Sequence, residues 1–220
     1  MMAETERDRL YIVQDHARVG RIMTWNSREL KYKDIHGGGL PPPIAVLAIH
    51  DVLCGLSYLH SISIIHRDIK PENLLMNENG TLQICDFGIS VRSDSPMLSG
   101  SAGSLYFYAP EMCSEGQFDG RKADVWSAGV CFYAFLYREL PVSPRLNEHG
   151  NFNMAGFIEK VKEAKIEPPP EPALEQPYLE LLLALTRKAP SERPTAAEAL
   201  RMDFSSGVEK IRAVVAGDSE

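Results

Sequence analysis

Apolar and polar positions alternate along this chain with a changing period, and the period assigns most of its elements. From Ile44 to His60 apolar residues recur at helical spacing, at Ala45, Ile49, Val52, Leu53, Leu56 and Leu59. This predicts a helix with His50 and Asp51 off the apolar stripe. Asp124 to Tyr137 is apolar nearly all round and predicts a buried central helix. Residues Asn153 to Lys165 and Leu174 to Arg187 predict amphipathic helices separated by EPPPEP. Thr195 to Arg201 predicts a last helix, with Thr195 as its N-cap after Pro194.

Strand signals are fewer. LYIV at Leu10 to Val13 is a short apolar run between polar neighbours and reads as a strand. The segments NLLM and TLQIC flank NENG, and its Asn79-Gly80 pair suits a hairpin turn. Residues 26–43, NSRELKYKDIHGGGLPPP, cannot continue a helix or central strand through their glycines and prolines, so they read as a loop insertion. After Asp86 the chain turns small and polar up to Ser104, as a mobile surface segment does. The pattern therefore predicts a mainly helical body with little sheet.

Composition narrows the classes. At 220 residues, 44% hydrophobic and 24% charged, the chain can bury a core and is not a disordered polymer. A net charge of −7 leaves no basic footprint, so no nucleic-acid partner is expected. The first ten residues are charged, and the densest apolar stretch, Val125 to Tyr137, is too short for a membrane span and is interrupted by Ser127. Cys54, Cys85, Cys113 and Cys131 lie far apart, which argues against a zinc ribbon or a disulfide framework. Cys54 and Cys131 fall on helix faces read as core. These features lead to the expectation of a soluble, reduced, cytoplasmic protein without a membrane partner.

The chemistry concentrates in one loop. His66 to Asn73 reads HRDIKPEN, and Asp86-Phe87-Gly88 begins thirteen residues after Asn73. Phosphoryl transfer needs a carboxylate to orient and deprotonate a hydroxyl, oxygen ligands for magnesium, and a cation on the migrating charge. Asp68 can be the base and Lys70 can reach the moving phosphate. Asn73 and Asp86, brought together by the hairpin, can hold Mg2+ from two sides.

HRDxKxxN, DFG and Ala109-Pro110-Glu111, in that order, resemble the signature of eukaryotic protein kinases. The resemblance implies an α+β protein-kinase-like fold: a mainly helical C-lobe with the hinge and one N-lobe strand attached. It covers residues 10–204, leaving a charged stub at 1–9 and a tail at 205–220. Lys70-Pro71 fits the serine/threonine pattern, and Ser104 falls where such kinases place a hydroxyl against the catalytic Asp and Lys. The implied cofactors are ATP and Mg2+. Gln14 matches the gatekeeper, and the backbone of Asp15 and Ala17 matches the groups that hold adenine. Asp124 resembles the aspartate that supports the catalytic loop, and Arg193 the arginine that pairs with Glu111. Phe87 would pack beneath the site beside Gly88 and set the pose of the segment. Departures are Leu105 in place of the common proline after Ser104, and Arg21 where many members carry a ribose-binding acid.

VGRIMTW, LPPP and LSGSAGSLYFYAPE most resemble the calcium/calmodulin-dependent protein kinase kinase group. That resemblance implies a protein substrate, with another kinase among the candidates. No basic amphipathic helix marks a calmodulin site in the tail. Ser101, on the segment between DFG and APE, is the expected regulatory phosphorylation site, with Arg67 as the phosphate's partner and Ser99 as the second choice. Cys85, beside Asp86, reads as a buried small residue that points at the nucleotide pocket.

No GxGxxG loop or VAIK-type lysine stands in the sequence. Two readings follow: a serine/threonine kinase seen in its C-terminal part, or a non-catalytic kinase-derived lobe that binds partners. For the chain by itself the expectation is a lone strand at Leu10 to Val13 with open edges, and no measurable transfer.

Overall fold

A computed structural model describes residues 2–6, 9–34, 37–144, 152–171 and 173–216. Its centre is a pair of packed helices, α1 (Pro42–Ser61) and α2 (Gly120–Tyr137). Pro42 opens α1, where a missing N–H removes nothing the helix could use. Ala45, Val46, Ile49, Leu53 and Leu56 are wholly buried along it. α1 is long and apolar enough to span a membrane by composition, yet most of it is buried in this fold.

Asp119 caps α2 by accepting from the N–H groups of Arg121 and Lys122, so the helix starts four residues before the apolar run suggests. It ends at Arg138, which takes a left-handed φ of 64°. α2 is buried on every face from Ala123 to Leu136, as its sequence predicts. Gly129 lets the end of the helix at Gln176–Leu185 approach: a Cβ there would stand 2.7 Å from Thr186 Cγ2 and 2.9 Å from Leu185 Cβ.

The remaining helices complete this body. α3 (Met154–Lys162) is capped by Asn153, and α4 (Gln176–Leu185) buries Leu181, Leu182 and Leu185. α5 (Ala196–Ala199) carries a capping box between Thr195 and Glu198. Helix α6 (Ser205–Ala216) occupies what reads as a tail in the sequence. It packs on α1, with Val208 in the core and Arg212 paired to Asp51.

Three expectations need correcting. Leu10–Val13 does not stand with open edges on both sides: Arg9–Val13 pairs antiparallel with Met2–Glu6, from Met2 opposite Val13 to Glu6 opposite Arg9. The alternation in that first segment is too polar to announce a strand. The insertion at 26–43 is largely a hairpin, Met23–Asn26 against Lys31–Asp34, turned through Leu30 at φ 52°. Arg138 fastens it, since Tyr32 N donates to Arg138 O and Arg138 Nε donates to Tyr32 O. Finally, Cys54 is exposed, whereas Asp51, placed off the stripe by the pattern, is buried.

The hairpin at Leu74–Met76 and Leu82–Ile84 forms as its sequence indicates, and Gly20–Arg21 joins it as a third strand. Two short pairings hold the segment after DFG: Val91–Arg92 on Ile64–Ile65, and Met97–Ser99 on Gln117–Asp119. These strands frame the loop that carries the chemistry.

Candidate active site

The loop from His66 to Asn73 is hung on a buried carboxylate. Asp124, 2% exposed, accepts from His66 N at 2.9 Å, Arg67 N at 2.8 Å and His60 Nε2 at 2.9 Å. Arg67 sits at φ 72°, and this pair of accepted N–H groups fixes it in that left-handed region. His66 is wholly buried. Its Nε2 lies 3.1 Å from the Cys85 carbonyl, which can only accept, so Nε2 donates there. Nδ1 is then free to accept from Asp68 N at 3.3 Å. His66 thus joins the loop to the Cys85-Asp86 step, and Cys85 N donates to Asn73 O at 2.9 Å to close the same junction.

Asp68 stands at the focus. Its Oδ1 accepts from Ser104 N at 3.0 Å, and its Oδ2 accepts from Asn73 Nδ2 at 3.0 Å and pairs with Lys70 Nζ at 2.7 Å. Lys70 Nζ also donates to Ser104 Oγ at 2.8 Å. Burial alone would raise the Asp68 pKa. Hydrogen bonds from Lys70, Ser104 and Asn73, with the charge of Lys70, outweigh that and hold the carboxyl below its usual range. The result is a carboxylate beside an ammonium and a hydroxyl.

Asn73 is buried, and its amide nitrogen grips both the Asp68 carbonyl at 2.9 Å and the Asp68 carboxylate. Its Oδ1 takes no hydrogen bond among the described residues. Asp86 is exposed at φ 62°, and its Oδ1 accepts from Gly88 N at 3.3 Å. Amide and carboxylate oxygens on adjoining elements are a hard donor set of the kind magnesium takes. A Mg2+ ion would be held by these two side chains together with oxygens of its phosphate ligand.

Gly103, which the sequence reading passed over, is the point of closest approach between the segment and the loop. It lies at φ 104°, and a Cβ there would fall 2.2 Å from the Arg67 carbonyl oxygen. His60 was also missed; a helical histidine pairing with Asp124, 64 residues away, leaves no local signal.

Other expected residues are placed as follows. Glu111 and Arg193 form a two-pronged ion pair at 2.7 and 3.1 Å, with Arg193 1% exposed and its guanidinium 5.1 Å from the Trp126 ring centre. Phe87 meets the His66 ring edge-on at 5.0 Å but keeps 37% of its surface exposed, so it is only partly packed under the loop. Arg67 and Ser101 are not joined: Arg67 Nη1 donates to Ile89 O at 3.4 Å, and Ser101 Oγ donates to Met112 O at 2.6 Å. Asp15 and Ala17 lie in a stretch outside helix or strand, with Asp15 and Gln14 exposed. Arg21 Nε donates to Glu72 O at 3.1 Å, and Tyr32 Oη donates to the Glu72 carboxylate at 3.1 Å, which ties the 23–34 hairpin to the loop. Burial, and next the charge of Asp86, push the Cys85 thiol up, against a reactive role for it.

Comparison with known proteins gives the same direction. The family pattern for the protein kinase domain matches residues 1–205. A calcium/calmodulin-dependent protein kinase kinase from Caenorhabditis elegans is 38% identical over 148 residues, 65% of this chain and 26% of that protein. The probable serine/threonine-protein kinase KCC4 of Saccharomyces cerevisiae is 30% identical over 185 residues, 84% of this chain and 17% of its own length. CBL-interacting protein kinase 26 of Oryza sativa subsp. japonica is 34% identical over 139 residues, 61% of this chain and 26% of that protein. The chain therefore spans about a quarter or less of these curated relatives.

Proposed function

The chain belongs to the eukaryotic protein kinase family, serine/threonine type, and from that premise we propose that its site transfers the γ-phosphoryl group of ATP to a protein Ser or Thr hydroxyl. The observation that carries this is the Asp68 focus: one carboxylate held by Asn73, Lys70 and the Ser104 N–H, with Lys70 shared to the Ser104 hydroxyl. Asp68 orients the incoming hydroxyl and takes its proton. Lys70 lies where charge on the moving phosphoryl group is met. Asn73 and Asp86 would hold Mg2+, which would supply positive charge against the phosphates. Glu111–Arg193 and Asp124 keep this geometry without touching the reacting atoms.

The second reading is a partner-binding lobe without chemistry. The two readings separate in a single-turnover assay with γ-labelled ATP, magnesium and mixed Ser, Thr and Tyr peptides, run on the protein containing this chain. The kinase reading expects transfer to Ser or Thr that falls about 10²–10⁴-fold in Asp68→Asn. Equal transfer by wild type and Asp68→Asn, or none by either, overturns it.

A further inference from the structure

A second group of ionisable side chains lies on α1, outside the catalytic loop. Cys54 is exposed, one turn after His50, and its Sγ stands 3.8 Å from His50 Nδ1 and 3.9 Å from Nε2. His50 Nδ1 also faces Asp51 Oδ1 at 3.5 Å. Asp51 is itself fixed: its Oδ2 accepts from Leu82 N at 2.9 Å, and its Oδ1 pairs with the Arg212 guanidinium of α6. The His50 ring is braced edge-on by Phe204, with centres 6.2 Å apart. A sulfur nucleophile, an imidazole and a buried carboxylate that orients it thus stand in contact at the surface, the arrangement that activates nucleophiles in many unrelated proteins.

We propose that Cys54 is a site of thiol–disulfide exchange with small-molecule disulfides, with His50 as the positive charge beside its sulfur. His50 Nδ1 faces Asp51 Oδ1, and both ring nitrogens lie at nearly the same distance from the sulfur. Cys54 gives its proton to water, and the thiolate beside the His50 imidazolium attacks one sulfur of the disulfide. A Cys54–S–S bond forms and the ligand's S–S bond breaks. The departing thiolate takes a proton from water and leaves as a thiol. Cys54 is oxidised and half of the disulfide is reduced, with no further reagent.

Hydrogen bonds to Asp51 first and Cys54 second push the His50 pKa up to about 9, so at neutral pH a cation adjoins the charge shared by the attacking and leaving sulfurs. The other cysteines lack this setting. Cys131 is wholly buried, and burial pushes the Cys113 thiol up to about 11. Cys85 is raised by burial and by the charge of Asp86.

The test incubates the folded 220-residue chain with oxidised glutathione and follows each cysteine by peptide mass spectrometry. Cys54 should form its mixed disulfide about tenfold or more faster than Cys85, Cys113 and Cys131, and faster than the same cysteine in the urea-unfolded chain. His50→Gln should slow Cys54 several-fold and leave the other three unchanged. A folded-state rate at Cys54 no greater than in the unfolded chain overturns the proposal without any variant. So does an unaltered Cys54 rate in a folded His50→Gln protein.

Discussion

Replacing Gly103 by alanine isolates the contact between the segment that follows DFG and the catalytic loop. At φ 104° any side chain strains the backbone, by about 1–3 kcal/mol. The added Cβ would also lie 2.2 Å from the Arg67 carbonyl oxygen and 3.4 Å from Asp68 Oδ1. Backbone cannot yield as a flexible side chain does, so the segment must lift by about an ångström, beyond the range in which a hydrogen bond keeps its strength. That movement breaks the Ser104 N–H bond to Asp68 at 3.0 Å, and a bond to a charged group is worth about 1.5–3 kcal/mol. The sum is about 2.5–6 kcal/mol. Gly100 supplies the control: its φ is 74°, but nothing lies within 4 Å of its would-be Cβ. Gly100→Ala should therefore cost only the strain, about 1–2 kcal/mol. Urea unfolding of both variants measures the difference, and carbon NMR of the Asp68 carboxyl measures its source. In Gly103→Ala the Asp68 titration should move up towards the usual carboxylate value, because one of the bonds that lowers it is gone. Equal stabilities for the two alanine variants, with an unmoved Asp68 titration, would refute the reasoning.

Further expectations follow from the same contacts. Asp124→Ala strands the N–H groups of His66 and Arg67 in a buried place and should cost about 2–5 kcal/mol in urea unfolding, with faster amide exchange at both residues. Glu111→Gln leaves the buried Arg193 charge without its ion partner and should cost about 3–5 kcal/mol, whereas a stability within experimental scatter of wild type contradicts that role. The Asp68 pKa is depressed in the fold, so its stabilising share is present above the unfolded value of about 4 and is lost as pH falls through the folded value. Asp68→Asn should show a shallower loss of stability below about pH 4 than wild type. For His50 the sign is reversed: with a folded pKa raised to about 9, its share is complete below the unfolded value of about 6.5 and fades as pH rises from there to the folded value. His50→Gln should flatten the stability profile across that window.

How much of this was legible in the sequence depends on how local each signal is. The buried helix α2 was plain because it is apolar on all faces, and its start was misjudged only because the cap, Asp119, is polar. The HRDIKPEN and DFG residues were legible as chemistry, and the structure brings Asp68, Lys70, Asn73 and Ser104 into one hydrogen-bonded group. What escaped depends on distant partners. Asp51 looked like a solvent-facing acid because its partners, Leu82 N and Arg212, are 31 and 161 residues away. The hairpin at 23–34 was hidden by its charged sequence and is held by Arg138 and Glu72 from elsewhere in the chain. Motif position alone pairs Arg67 with Ser101, yet each bonds to a different backbone carbonyl. A phosphate on Ser101 would first have to give up the hydroxyl's bond to Met112.

The most direct test of the proposed function is the magnesium dependence of ATP binding by this chain, followed by calorimetric titration in wild type and Asp86→Asn. The account predicts weak binding that magnesium strengthens in wild type, through the Asn73 and Asp86 oxygens, and that Asp86→Asn renders indifferent to magnesium. Binding equally tight with and without magnesium in wild type, or an Asp86→Asn protein that keeps the full magnesium effect, would contradict it.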